Sequence, residues 1–304
     1  MSNTNTNINE DILIEEILPA LKLGLLPINA MSMEAVANRN LYYGDTAIVD
    51  VVSAAAAAGT YSTTFATGDS AATGVSVTIG APAFASWHIN PHLEGQPTAA
   101  RFLAHGREKA YALAKKIVQD VLALYTAANL GDTASDVLIV SMPNYDSDVF
   151  ADARGLLLNK GVGGPVTAIH NIAYATRLMK DSDIKNADKA GSNQLLSTGE
   201  LPPILGIRSM YTDAFPAVIT AENTGVIFTA RDAVAVAIGA SGVDPSGMDA
   251  QSGVQTIIVT DPDTGIRFNW RTWVDANTGV HWGSVYLSYG VSFLRAAAVR
   301  VKSE

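Results

Sequence analysis

Residues 51–80 read VVSAAAAAGTYSTTFATGDSAATGVSVTIG, with Asp69 as the one charged residue. No Lys or Arg occurs between Arg39 and Arg101. The stretch is too apolar and small-sided for an ordinary solvated loop, and too poor in large side chains to form a core of its own. TAIVDVV before it and GVSVTIG after it are rich in β-branched residues, a strand signal on each side. Gly59, Thr60 and the Ser/Thr/Gly-rich tip disfavour a long helix through Ala54–Ala58. The reading is a long β-hairpin over residues 43–82. An isolated two-stranded hairpin is marginal in water, so this one needs cover.

The rest of the chain bounds what such a hairpin serves. It has 304 residues, 48% hydrophobic and 16% charged, enough for one large or two medium domains with real cores. A net charge of −9 argues against a basic face that grips nucleic acid. With no cysteine, disulfides, thiolate nucleophiles and Cys-based zinc sites are excluded. No apolar run approaches the roughly 20 residues of a membrane span. The polar start, MSNTNTNINED, reads as neither a signal nor a transit peptide.

Outward from the hairpin, Ile12, Leu13, Ile17 and Leu18 repeat with helical spacing up to Pro19, and a second apolar run with Leu25 and Leu26 ends at Pro27. Two prolines this close limit helices to a few turns, which predicts an extended arm with apolar anchors. Residues 97–129 read as one long amphipathic helix. Pro97 lies in its first turn, and Phe102, Ala110, Leu113, Ile117, Val121 and Leu124 form one face. Residues 136–221 alternate strand and helix patterns, and the remainder returns to β structure through two turns, DPDTG and DANTG.

Candidate chemical sites are sparse. His88, His92 and Glu94 have metal-ligand residue types, but Pro91 breaks the helical spacing a zinc-protease pair needs. Asp146, Asp148 and Asp152 suit a helix N-terminus. DPDTG begins like a calcium loop, yet Thr272 stands where the closing carboxylate belongs. GVGGP at Gly161–Pro165 fits neither phosphate-binding glycine motif, and no G-x-S-x-G elbow occurs. Trp270, Trp273 and Trp282 are suited to core or interface packing. No catalytic, cofactor-binding or metal site is expected, and the chain does not read as an enzyme.

Three stretches carry a resemblance to a known family: STGELPPILGIRSMYTDAFP (Ser197–Pro216), GVIFTARDAVAVAIG (Gly225–Gly239) and GIRFNWRTWVDANTGVHWGSVYLSYGVSFLRAAAVRV (Gly265–Val301). Together with the order of parts, they resemble the major capsid proteins of tailed double-stranded DNA bacteriophages with the Hong Kong 97-like fold. The resemblance implies an α+β fold with an N-arm (1–40), an E-loop hairpin (41–82) and a P-domain segment with a spine helix (83–135, helix 97–129). It places a central α/β A-domain at 136–221 and a return through both domains at 222–304. It implies a structural protein of the virion, assembled in the host cytoplasm as hexamers and pentamers of an icosahedral head around double-stranded DNA.

The partners implied are further copies of the chain, a portal, a decoration protein and a separate scaffolding protein, unless a scaffolding segment was removed ahead of Met1. DNA contact is expected to be weak and without sequence preference. The one net-basic stretch, Arg295, Arg300 and Lys302, is too small for a groove. No cofactor is implied, and the hairpin has no lysine for covalent cross-linking. Expected subunit contacts are Ile12, Leu13, Ile17, Leu18, Leu25, Leu26, Tyr61, Phe65, Trp270, Trp273 and Trp282. Residues 10–35 and 43–82 are expected to be covered by neighbours rather than by their own domain. An encapsulin-type nanocompartment shell and, from another class, a soluble hydrolase are the competing readings.

Overall fold

A computed structural model describes residues 10–33, 43–52, 72–90, 99–185, 201–239, 253–261 and 266–303. Its helices are α1 (Glu10–Glu16), α2 (Leu18–Met31), α3 (Ala99–Leu122), α4 (Ala127–Leu130), α5 (Asp148–Asn159), α6 (Ile172–Met179), α7 (Ser182–Lys185) and α8 (Ala217–Ala221). Strands β1 (Ser32–Met33), β2 (Thr46–Val52), β3 (Ala72–Thr78) and β4 (Ala83–Ile89) precede α3. Strands β5 (Val137–Ile139), β6 (Val166–Asn171), β7 (Arg208–Thr212), β8 (Thr224–Ala230) and β9 (Val234–Gly239) follow. Then come β10 (Gln255–Thr260), β11 (Arg267–Val274), β12 (His281–Phe293) and β13 (Ala298–Lys302).

Two sheets form the body. The first runs β1-β9-β12-β11-β10, with β4 also paired to β12; the second runs β5-β13-β8-β6-β7. Strand β12 is long enough to serve successive partners along its length, pairing β4 over His281–Leu287 and β9 over Ser288–Phe293. Besides the passage from β4 to β5 by way of α3, the chain makes two short crossings between the sheets, from β8 to β9 and from β12 to β13. Hydrogen bonds from Ala230 N to Ala297 O (3.1 Å) and from Leu294 N to Ala233 O (2.9 Å) hold the crossings side by side. The Arg295–Asp232 ion pair reinforces them. One contiguous apolar core therefore spans both sheets.

Helix α3 buries Ala110, Leu113, Ala114, Ile117, Val118, Val121 and Leu122 between the first sheet and α2. Its end differs from the sequence expectation of one helix to 129. After Leu122 the backbone tightens, with Leu124 N bonding to Val121 O and Tyr125 N to Leu122 O. The cause is Tyr125, fully buried with its hydroxyl 3.0 Å from Thr229 Oγ1. Turning this side chain into the core ends the helix, and burial raises the tyrosine pKa. The 24 residues of α3 span about 36 Å.

The N-terminal segment is a correction. It is helical, and Leu13, Ile17, Leu18, Leu21, Leu25, Ile28 and Met31 lie in the chain's own core. Pro19 occupies the first turn of α2, where no intrahelical N–H bond is needed. Pro27 lies inside the helix, at a typical cost of ~3 kcal/mol. Burial of Leu18, Leu21, Leu25, Ile28 and Met31 offsets that cost. The two helices pack closely, since a Cβ on Gly24 would stand 2.5 Å from Ala114 Cβ. Lys22 binds the buried Asp261 at 2.8 Å and ties α2 to the start of the β10–β11 turn.

Candidate functional site

The hairpin of the opening stretch is seen at its root. Strands β2 and β3 pair antiparallel from Thr46↔Thr78 to Val52↔Ala72. Side chains alternate across a strand. One face puts Ala47, Val49 and Val77, with Ile79 just beyond β3, against Ala235 and Ala237 of β9. The other face carries Thr46, Asp50, Ser76, Thr78 and an Ile48 that is 63% exposed. The root is seated without clearance. Gly80 N donates to Tyr289 O at 2.9 Å, and a Cβ on Gly290 would lie 2.2 Å from Thr78 O. Thus the expectation that 43–82 as a whole lacks cover from its own domain is corrected: the root is covered by the chain itself. Further out, Val51 and Val75 are only half-buried. Residues 53–71, including Tyr61, Phe65 and Asp69, lie outside the described residues.

The other expected contact residues divide by burial. Leu13, Ile17, Leu18 and Leu25 are buried within the chain, as is Trp270, which packs against Trp87 and Phe102 under α3. These five are core residues, not contact residues, because their own helix or sheet faces inward. The side chain of Ile12 lies outside the described residues. Leu26 is exposed on α2. Trp273 and Trp282 are half-buried cross-strand partners stacked 5.8 Å apart on the outer face of the first sheet. His88 packs on Trp282 at 4.7 Å.

No family model matches the chain, and no curated protein matches it. Solved structures do. The capsid of cyanophage P-SCSP1u aligns with TM-score 0.58 at 12% identity, covering 91% of this chain and 89% of that one. The capsid of Ralstonia phage GP4 aligns with the same TM-score, identity and coverage. The mature capsid of bacteriophage PhiM1 gives TM-score 0.55 at 12% identity over 90% and 87%.

The fold is that of phage capsid proteins.

Within this capsid fold, several of the groups weighed for chemistry or for DNA contact make structural contacts. No cluster of three or more His, Asp or Glu suited to a metal ion occurs among the described residues; His92 and Glu94 lie outside them. Asp146 accepts from Asp148 N at 3.2 Å ahead of α5, as an N-terminal acid should. The basic end is neutralised inside the chain: Arg295 pairs with Asp232, Arg300 with Glu222 and Asp132, and Lys302 with Asp132. Nothing in the linear sequence marks these pairings, since the partners lie 63 to 170 positions away.

One buried polar site went unnoticed in the sequence because His170 sits in an ordinary strand pattern, VTAIHN. His170 Nδ1 lies 3.0 Å from Met210 O and therefore donates, which leaves Nε2 to accept from Tyr145 OH at 2.9 Å. Burial pulls the imidazole down to about 4, and also raises the Tyr145 hydroxyl. The folded form therefore holds neutral histidine, while the unfolded chain binds a proton near 6.5. Its contribution is fully present above pH 6.5 and is lost as pH falls from 6.5 toward 4. Urea unfolding at pH 7.0 and 4.5 should show a loss about 2–3 kcal/mol larger for the parent than for His170→Gln. Equal losses in the two proteins contradict this assignment.

Proposed function

We propose that this chain is the major capsid protein of a tailed double-stranded DNA phage, with the Hong Kong 97-like arrangement. The observation that carries the reading is an alignment with phage capsids that takes in about nine-tenths of both chains. The N-arm is assigned to 1–40, the E-loop to 41–82, the P-domain with its spine helix to 83–135, and the A-domain to 136–221. Residues 222–304 return through both domains. Many copies assemble as hexamers and pentamers of an icosahedral head, located in the virion after assembly in the host cytoplasm. The protein works by packing and has no catalytic role.

The ribbon supports this reading physically. Its root is fixed on the first sheet, and its outer face presents small or uncharged groups apart from Asp50. Such a surface holds few charges whose hydration a covering neighbour would have to remove. A scaffolding protein, a portal and a decoration protein are the proposed partners. The enclosed DNA is contacted weakly, as suits a basic end whose charges are already paired. Nothing found favours an encapsulin-type cargo shell or a hydrolase. Sedimentation velocity at two salt concentrations tests the proposal. Species of many copies are expected, and a monomer or dimer under every condition, including co-expression with the adjacent genes, contradicts it.

A further inference from the structure

We propose that neighbouring copies meet side by side through the two edges of the second sheet, β7 of one copy lying along β5 of the next. The inference rests on the capsid reading and adds the contact that closes its rings. Strands β5 and β7 end the sheet and have no further strand partner among the described residues. They run in the same direction, because β5 is parallel to β13, β8 is antiparallel to both β13 and β6, and β7 is parallel to β6. Two different edges that meet head-to-tail generate a rotation, and a rotation that closes gives a ring.

The β7 edge carries a group with no use in an isolated subunit. Leu205 has φ +50° and Gly206 φ +76°, in a tight turn closed by Ile204 N to Ile207 O (3.0 Å) and Ile207 N to Ile204 O (2.8 Å). Such turns favour Asn-Gly, because a leucine at positive φ is strained. Leu205 is also 62% exposed, so neither backbone nor solvation favours it. A second copy that covers it supplies the missing reason. Tyr211 on the same edge is 55% exposed.

Register across the sheet then shows what each edge sets opposite the other. Arg208 is level with Thr167, Thr229 and Ala298. Since Arg300 pairs with Val137, the height of Ala298 is that of Ser135, in the acidic loop with Asp132 and Asp136. Tyr211 is level with His170, Val226, Val301 and Leu138, one residue from Ile139, which is 58% exposed. The β7 edge thus offers a cation and an aromatic ring near the heights where the β5 edge offers an apolar side chain and the half-exposed carboxylate of Asp132, which also binds Arg300 and Lys302 of its own chain. Charge complementarity of this kind fixes register between partners.

The absence of cysteine makes the test direct. Assembled particles of the double variant Ile139→Cys/Tyr211→Cys, treated with a short bis-maleimide, should give a denaturing-gel ladder reaching five and six copies. Each single variant should stay at one copy. Intact double-variant particles that remain at one copy, or link only to another protein, overturn the edge contact while leaving the capsid reading in place. A parent chain that never assembles overturns the capsid reading itself. Charge exchange checks the same contact without cross-linking. Arg208→Asp should lower particle yield at least tenfold, and Ser135→Arg added to it should restore most of the yield. Normal particles from Arg208→Asp alone count against the proposal.

Discussion

Replacing Arg300 with alanine should cost about 3–5 kcal/mol of subunit stability, the range for breaking a buried charge pair from one side. Arg300 is 1% exposed in the middle of β13. Its guanidinium reaches Glu222, Gly131 O at 3.1 Å and Asp132 Oδ1 at 3.2 Å. Glu222 also accepts from Ala127 N at 3.2 Å, so its carboxylate fastens α4 to the end of α8 as well as to β13. Without the arginine, a partly buried carboxylate and a backbone carbonyl lose their donor together. Domains commonly have only about 5–15 kcal/mol of stability, so the loss is a large share. Removing Lys115 from its more exposed pair with Asp213, 2.6 Å apart, should cost under about 1 kcal/mol. Denaturant midpoints of unassembled subunits measure both. An Arg300→Ala loss as small as that of Lys115→Ala contradicts the role given to the network.

The second large effect concerns assembly rather than folding. Replacing residues 53–71 with an Asn-Gly turn closes the ribbon after Val52↔Ala72, as a two-residue hairpin allows. The subunit should fold with near-parental stability, because Ala47, Val49, Val77 and Ile79 keep their places on β9. Closed shells should be lost. The tip removed carries one charge, Asp69, so covering it costs little desolvation. On the order of 400 Å² of apolar contact per copy gives ~10 kcal/mol of gross stabilisation before ordering costs. Folding is checked by circular dichroism and particles by sedimentation. Intact shells from the shortened chain defeat the claim that the tip lies across a neighbour. A subunit that fails to fold contradicts the independence of the root.

Much of this architecture was legible in local sequence. The β-branched runs flanking the Ala/Ser/Thr tip became β2 and β3, and the amphipathic repeat after Pro97 became α3. The N-terminal helices were misread because proline is a local signal, whereas the burial that overrides it depends on α3, some 80 residues later. Trp270 and Trp273 look equivalent in FNWRTWV, yet strand alternation sends the first into the core and leaves the second on the outer face. The same limit applies to the basic end. Arg300 and Lys302 read as a cationic tail until the fold brings Asp132 and Glu222 to them. Leu205 was hidden for a different reason: only backbone angles show that PPILGI contains a strained turn.

Negative-stain electron microscopy of the purified chain, alone and co-expressed with the adjacent genes, tests the central claim most directly. The account predicts closed shells, tubes or rings of five and six copies. Fields containing only single subunits or dimers under both conditions would show that this capsid fold has been put to another use.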